Sequence, residues 1–316
     1  MGRIVAAFGS SHAFTFMEPE KWDTFRAKNR ESFKRRRNIE PPEQPGVAAE
    51  TLASNSARYD RVRAAHDDIR KLIADSKPDA IVVIGDDQHE VFSSSNIPQI
   101  AIYVGGDFHL ATRFGRSPAT FRSHDGLART ILETGIASGF DIATLGSFEN
   151  NEMSAHAHAQ LLEAFTPNAD IPVVLVFLNA VQYPAIEPAR CHAFGKMIAQ
   201  AIAARPGTER VAVSASGGWS HFSAGYPWDF YKGPFSYGAI AEDFDRDIAK
   251  RIAEGRGDTL ASLSSGDLLG SGNIELRAWI ALLGAIGAAR PNSLVYEPFY
   301  RAVMGMAAGT WALESA

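Results

Sequence analysis

Histidines that come a few residues after short apolar runs are the clearest candidates for chemistry in this sequence. This position is shared by His12, His89 and His221. The runs before them are rich in β-branched or small apolar residues and have the length of buried strands. Ligands bind beyond the carboxyl ends of the strands in α/β sheets, so we expect these imidazoles to converge on one crevice. A single histidine at such a position is more often structural, and it is the repetition that points to a site.

Imidazole groups together with a carboxylate would suit a transition metal. Two imidazoles and one carboxylate on Fe(II) leave coordination positions open for substrate and oxygen. Glu275 is the candidate carboxylate, since it stands at the start of the very apolar helix predicted over Ala278–Ala289. An acid there can also serve only to complement the helix dipole. Metal ligation and a purely structural role therefore both remain open for Glu275 on spacing alone.

The elements that must position these residues follow an α/β pattern, in which short β-branched runs alternate with stretches of helical spacing. The predicted strands are Ile4–Phe8, Ala80–Ile84, Ile100–Val104, Ile142–Leu145, Pro172–Leu178 and Arg210–Ser214. The predicted helices are Ala57–Ser76, Thr120–Ser138, Ala185–Ala204 and Ile240–Gly255. We expect a central, mostly parallel or mixed sheet flanked by helices, in one domain that covers residues 1–316.

An inserted segment, Lys21–Ala53, interrupts this pattern near the N-terminus. Its first half is crowded with arginine and lysine, and its second half contains Pro41, Pro42 and Pro45. We interpret it as a helix followed by a proline-ordered loop. It is either a solvated charged surface or a wall over the site or a homodimer interface, with Trp22 and Phe25 as apolar contacts.

Composition excludes several classes of function. The net charge is −5, from 31 Lys and Arg against 36 Asp and Glu, which gives no general attraction to nucleic acid. No uncharged apolar stretch is long enough to span a membrane, and the N-terminal run is typical of a first strand and not of a signal peptide. The single cysteine, Cys191, excludes an intrachain disulfide and a cysteine-rich metal site, so a cytoplasmic protein is expected.

Several segments, in order along the chain, carry a resemblance to a known family. They are Ser11-His12, Asp87-Gln88-His89 with Asn96-Ile97-Pro98, Gly217-Gly218-Trp219-Ser220-His221, Glu242–Asp245 and Ile274–Trp279. Together they resemble the class III extradiol ring-cleavage dioxygenases, the family of the protocatechuate 4,5-dioxygenase large subunit. The stretch Phe8–Phe14, with Trp22 and Phe25-Arg26, is similar to the gallate and 3-O-methylgallate dioxygenase subgroup.

The sequence departs from the family pattern at two motifs. Aspartate directly precedes the second histidine in the family, whereas Gln88 intervenes here before His89. The family's aspartate-histidine-glycine motif is replaced by the stretch Ser154–Gln160, which holds two histidines. Counting back from Gln160 favours His156 as the equivalent of the histidine in that family motif, with His158 as the alternative.

The resemblance implies a non-haem Fe(II) dioxygenase that opens the ring of a catecholic aromatic acid with O2. Protocatechuate, gallate and 3-O-methylgallate are the implied substrates, in the catabolism of aromatic compounds derived from lignin. The implied iron ligands are His12, His89 and Glu275. The implied acid/base group is His221, and His156 or His158 would hydrogen-bond the substrate.

Two other functions fit the same residues. Two histidines and a glutamate also describe catalytic zinc sites, which would make the protein a zinc-dependent hydrolase, although the sequence lacks a His-Glu-x-x-His helix. A non-catalytic binding member of the same fold is the other alternative, but such a protein would not need His221. For the assembly, the resemblance implies a homodimer and leaves room for a small capping subunit, which the Lys21–Ala53 insertion could replace.

Overall fold

The computed structural model describes residues 1–110, 119–148, 155–221 and 240–313. The strands are β1 (Arg3–Ser10), β2 (Ala80–Asp86), β3 (Ile100–Tyr103), β4 (Phe108–Leu110), β5 (Ala119–Phe121), β6 (Ala143–Leu145), β7 (Val173–Leu178), β8 (Arg210–Ser216), β9 (Ser293–Phe299) and β10 (Met304–Ala312). The helices are α1 (Trp22–Arg37), α2 (Pro45–Ala49), α3 (Leu52–Ser76), α4 (Asp125–Ala137), α5 (His156–Phe165), α6 (Pro188–Ala204), α7 (Glu242–Ala253), α8 (Ser265–Ser271) and α9 (Leu276–Ile286).

The main sheet has eight strands in the order β6-β3-β7-β2-β8-β1-β10-β9. Its centre is parallel, because β8 pairs in parallel with both β1 and β2, and β2 pairs in parallel with β7. Strands β3 and β10 join this centre in antiparallel orientation. The predicted α/β class with a mixed sheet flanked by helices is confirmed. The carboxyl ends of β1, β2, β7 and β8 therefore lie along one edge of the sheet.

Helices cover both faces of the sheet, which explains the continuous apolar runs in its central strands. Val82 and Ile84 of β2 pack in a cluster with residues of α4, α6 and α9. The alternate residues Ile81 and Val83 pack in a second cluster with residues of α3 and α5. No helix within the described residues combines the length and the apolarity needed to cross a membrane.

The hairpin of β9 and β10 extends the sheet beyond β1, and neither strand was predicted from the sequence. Strand β10 is built largely of glycine, alanine and methionine, which have little intrinsic preference for strands. The helix predicted from Thr120 begins only at Asp125. Ala119–Phe121 instead pairs with β4, and the imidazole of His124 accepts a hydrogen bond from the backbone N–H of Leu127 and caps the helix.

The inserted segment contains the expected helix, α1, followed by a short proline-initiated helix, α2. Trp22 is fully buried, and its ring packs against Tyr59 and Phe299. The crowded positive charges are partly neutralised within the segment, because Arg26 and Arg30 both pair with Glu43. The basic half and the acidic loop thus fold onto each other.

Candidate active site

His12, just beyond β1, has an orientation that leaves one ring nitrogen unprotonated. Its Nδ1 lies 3.2 Å from the hydroxyl of Ser216, the last residue of β8. That hydroxyl donates its own proton to the carbonyl of Ala157 at 2.5 Å, so it must accept from Nδ1–H of His12. The Nε2 atom then carries a lone pair and faces Glu275 Oε2 at 3.5 Å. Burial lowers the pKa of His12 to about 3, which keeps the ring neutral.

Glu275 sits immediately before α9 and is 1% exposed. Its Oε2 accepts a hydrogen bond from the backbone N–H of Gly218 at 2.7 Å, and its Oε1 accepts one from the amide of Gln88 at 2.9 Å. Burial alone would raise its pKa, but the attraction to His221 and His12 outweighs burial and lowers the pKa well below the usual range. Glu275 is therefore a fixed, ionised carboxylate.

His221 stands on the other side of Glu275. Its Nε2 lies 3.2 Å from Glu275 Oε1, and its Nδ1 lies 2.8 Å from the carbonyl of Trp219, to which it donates. Burial lowers its pKa, but attraction to Glu275 and the hydrogen bond to it outweigh burial, so the net shift is upward. His221 can hold a proton on Nε2 beside the group that stabilises its charge.

Asp86 is the site residue that the sequence analysis missed. It ends β2, is 2% exposed, and its carboxylate has no hydrogen-bond partner on either oxygen within the described part of the chain. Ligand atoms of Asp86, His12 and Glu275 all lie within 4.8 Å of one another. Burial and then the neighbouring charge of Glu275 raise the pKa of Asp86 well above its usual value. The sequence did contain a signal for Asp86, since an acidic residue at the carboxyl end of a buried strand lies where α/β sheets bind their ligands.

The structure does not bring His89, the predicted second iron ligand, to this group. Its backbone adopts a left-handed conformation with φ of 61°, and its exposed ring lies with Nδ1 3.3 Å from the carbonyl of Phe92. The carboxylate of Asp87 fixes this turn by accepting backbone hydrogen bonds from Val91 and Phe92. Gln88, one residue earlier, is the side chain that reaches Glu275.

Of the two alternatives on α5, the structure brings His156 to the site. Its ring centre lies 4.8 Å from that of His12, and its Nδ1 lies 2.7 Å from the carboxylate of Glu90. His158 packs in the interior instead, with its ring against Phe177 and its Nε2 2.9 Å from the carbonyl of Val176. Ser154, the start of the departing motif, lies outside the described residues.

Asp245, a buried carboxylate behind the site, belongs to the Glu242–Asp245 segment but was given no role from the sequence. It accepts hydrogen bonds from Ser220 at 2.5 Å, Tyr296 at 2.7 Å and Asn273 at 2.8 Å. Ser220 directly precedes His221, and Asn273 lies close before Glu275 in the chain. Asp245 therefore ties together the two segments that carry these side chains.

The donor atoms at the strand ends fit a divalent cation. Two buried carboxylates lie near each other and near an unprotonated imidazole nitrogen. Like charges in a buried site repel strongly unless a counter-charge is present, and a bound cation supplies one. Mixed nitrogen and oxygen ligands suit ions such as Fe(II), Mn(II) and Zn(II).

Comparisons with known proteins show which family the chain is similar to. The family model described as the catalytic LigB subunit of aromatic ring-opening dioxygenase matches residues 43–309. The 2,3-dihydroxyphenylpropionate/2,3-dihydroxicinnamic acid 1,2-dioxygenase of Burkholderia vietnamiensis is 24% identical over 322 residues, covering 86% of this chain and 91% of the relative. The enzyme of the same name from Rhodococcus jostii is 24% identical over 290 residues, covering 79% and 89%. A solved structure of an uncharacterised protein from Escherichia coli K12 aligns with a TM-score of 0.48 and 12% identity, covering 97% of this chain and 99% of that one.

Proposed function

Because the chain belongs to the family of catalytic LigB subunits of aromatic ring-opening dioxygenases and is an extradiol-type ring-cleavage enzyme, we propose that it acts on a catecholic aromatic acid with Fe(II) as its metal. The observation that carries the proposal is the meeting of His12, Glu275 and His221 at the carboxyl edge of the parallel strands. This group combines metal-ligating atoms with an acid/base side chain in one buried place.

His12 and Glu275 would hold the ion. The Ser216 hydroxyl keeps Nε2 of His12 unprotonated, and the backbone N–H of Gly218 and the amide of Gln88 orient the Glu275 carboxylate. Such outer hydrogen bonds fix the direction of a ligand and tune its basicity. Bound Fe(II) would supply coordination positions for two adjacent substrate oxygens and the redox chemistry that O2 requires.

His221 would move the proton. With Nδ1–H held by the carbonyl of Trp219, the neutral ring would accept a phenolic proton at Nε2 and return it later in the reaction. Glu275 stabilises the protonated ring, in agreement with the upward shift of the His221 pKa. A catechol binds to a metal more strongly as its anion, so removal of this proton assists substrate binding.

His156 would orient the substrate. Glu90 accepts from its backbone N–H at 2.9 Å and lies 2.7 Å from its Nδ1, which fixes both the helix end and the ring. The Nε2 atom is then on the side of the ring away from Glu90. A hydrogen bond between that atom and a substrate hydroxyl would hold the substrate ring in one orientation.

The substrate class is proposed from the chemistry that such a site requires together with the names of the relatives. The relatives are named for 2,3-dihydroxyphenylpropionate and the related cinnamic acid. Protocatechuate, gallate and 3-O-methylgallate share with these compounds a pair of adjacent ring oxygens and a carboxylate. We therefore propose a vicinal-diol aromatic acid.

Oxygen consumption tests the proposal. The protein is purified without oxygen, loaded with Fe(II), and given one of four acids in an oxygen-electrode cell: 2,3-dihydroxyphenylpropionate, protocatechuate, gallate or 3-O-methylgallate. At least one acid should consume about one O2 per ring, since both oxygen atoms enter the product. An isomeric acid with non-adjacent hydroxyls is the control and should consume none. Absence of O2 uptake with all four acids, from protein shown to contain iron, would contradict the proposed substrate class. Hydrolytic activity of the zinc-loaded protein, without O2 uptake, would favour the hydrolase.

A further inference from the structure

We propose that Asp86 supplies the third protein ligand of the metal, so that this chain has a centre of one histidine and two carboxylates, with His89 outside it. The proposal rests on the metal-dependent function proposed above. It departs from the set of two histidines and one carboxylate that the family resemblance implies.

The register of the sheet brings Asp86 to the same level as the other donors. Ser10 at the end of β1 pairs with Ser216 at the end of β8, and Ile84 of β2 pairs with Ala215 of β8. Asp86 therefore ends its strand at the edge beyond which His12 lies. This register accounts for the nearness of Asp86 to His12, and Glu275 completes the group from the start of α9, with donor atoms of all three within 4.8 Å of one another.

The surroundings of Asp86 lack what a buried carboxylate otherwise needs. Both of its oxygens are inaccessible and have no hydrogen-bond partner among the described residues. Burying a carboxylate without hydrogen bonds or a counter-charge costs several kcal/mol, so such groups are paired, protonated or bound to metal.

Gln88 occupies the place in which a second imidazole would be expected. Its amide donates to Glu275 Oε1 at 2.9 Å, and an amide N–H is not a metal ligand. Asp86 and Gln88, two positions apart, both reach the neighbourhood of Glu275, whereas His89 turns outward at its positive φ. The turn thus presents a carboxylate and an orienting amide to the site, while its imidazole, His89, faces away from it.

The charge balance of such a centre differs from that of a two-histidine site. Two ionised carboxylates and a neutral imidazole together neutralise a divalent ion. Oxygen-rich sets suit harder ions such as Mn(II) and Fe(II) better than softer ones. Without a metal, electrostatic repulsion within such a site is also stronger than in a two-histidine site, because Asp86 and Glu275 are both buried there.

A pair of variants tests the proposal through metal binding alone. Metal-free wild type, Asp86→Asn and His89→Gln are titrated with Mn(II), and binding is followed by calorimetry. We expect Asp86→Asn to weaken binding by at least roughly a hundredfold, more than the usual loss of an outer hydrogen bond. His89→Gln, the matched control on the same turn, should bind within a factor of about three. Unchanged binding in Asp86→Asn, or lost binding in His89→Gln, would overturn the assignment.

Two further measurements keep the result independent of folding defects. Metal-free Asp86→Asn should unfold at a higher urea concentration than wild type, since the neutral amide removes the cost of burying a second carboxyl group beside Glu275. A merely structural Asp86 would give a less stable variant. X-ray absorption on Mn(II)-loaded wild type needs no variant, and it should count one histidine ligand, whereas two would overturn the proposal.

Failure of the inference and failure of the proposed function give different results. If metal binding depends on Asp86 but no catecholic acid consumes O2, the proposed substrate chemistry is wrong and the metal centre stands. If O2 is consumed and Asp86→Asn still binds Mn(II) as wild type does, the ligand assignment is wrong and the function stands.

Discussion

Replacing Asp245 with alanine should destabilise the protein by about 3–5 kcal/mol, because two buried donors, Ser220 and Asn273, and one half-buried donor, Tyr296, lose their acceptor at once. A buried donor left unpaired costs about 1–3 kcal/mol. The Asn273 amide would keep only its longer hydrogen bonds to the Ser271 hydroxyl at 3.3 Å and the Ser271 carbonyl at 3.4 Å among the described residues. The Ser220 hydroxyl also accepts a hydrogen bond from the backbone N–H of Ala241 at 3.0 Å and can rotate. The stability lost with its hydrogen bond to Asp245 is therefore smaller. The expected total destabilisation therefore lies in the lower half of the range obtained by adding about 1–3 kcal/mol for each of the three donors.

The assay is urea unfolding of the metal-free protein at neutral pH, followed by circular dichroism. Asp243→Ala is the matched control, since Asp243 is exposed in the first turn of the same helix, and its free energy of unfolding should stay within about 0.5 kcal/mol of wild type. Asp245→Asn keeps one acceptor and should lie between the two. A loss below about 1 kcal/mol for Asp245→Ala would refute the view that Asp245 joins the segments carrying His221 and Glu275.

Other expected outcomes concern catalysis, pH and the inserted segment. His221→Phe should retain the metal, measured by elemental analysis, but turn over roughly 10²–10⁴ times more slowly, and a loss of metal would instead make His221 a ligand. Burial raises the pKa of Asp245 from 3.8 to about 6, so the folded protein binds more protons than the unfolded chain between these values, and wild type should lose stability relative to Asp245→Asn as pH rises through that window. Glu50→Ala should lower the free energy of unfolding by about 2–4 kcal/mol, because the carboxylate accepts backbone hydrogen bonds from Tyr300 and Arg301 at the turn between β9 and β10, and an unchanged urea midpoint would show that this contact is dispensable.

The central strands could be predicted from sequence because each is covered by helices on both faces and so reads as an unbroken apolar run. Strand β10 could not, since its small residues have weak strand preference and it forms by pairing with β1, almost three hundred residues earlier. Local pattern holds no information about such a distant partner.

The site was only partly predictable for a similar reason. His12, Glu275 and His221 could be singled out by their positions at strand and helix ends, but their contacts join residues far apart in the chain. Whether His156 or His158 faces the site depends on where α5 begins. Whether Gln88 or His89 reaches the site depends on the backbone conformation of a single turn. The single domain over residues 1–316, the homodimer, the capping subunit and the cytoplasmic location stay predictions.

Labelled oxygen tests the central claim most directly. The Fe(II)-loaded protein is supplied with a catecholic acid under ¹⁸O2, and the product is identified by mass spectrometry. A ring-cleavage dioxygenase should give a ring-opened product that contains label from both atoms of O2, apart from carbonyl oxygen exchanged with water. An intact ring, or a ring-opened product that has taken its new oxygens only from water under conditions that prevent exchange, would contradict the account.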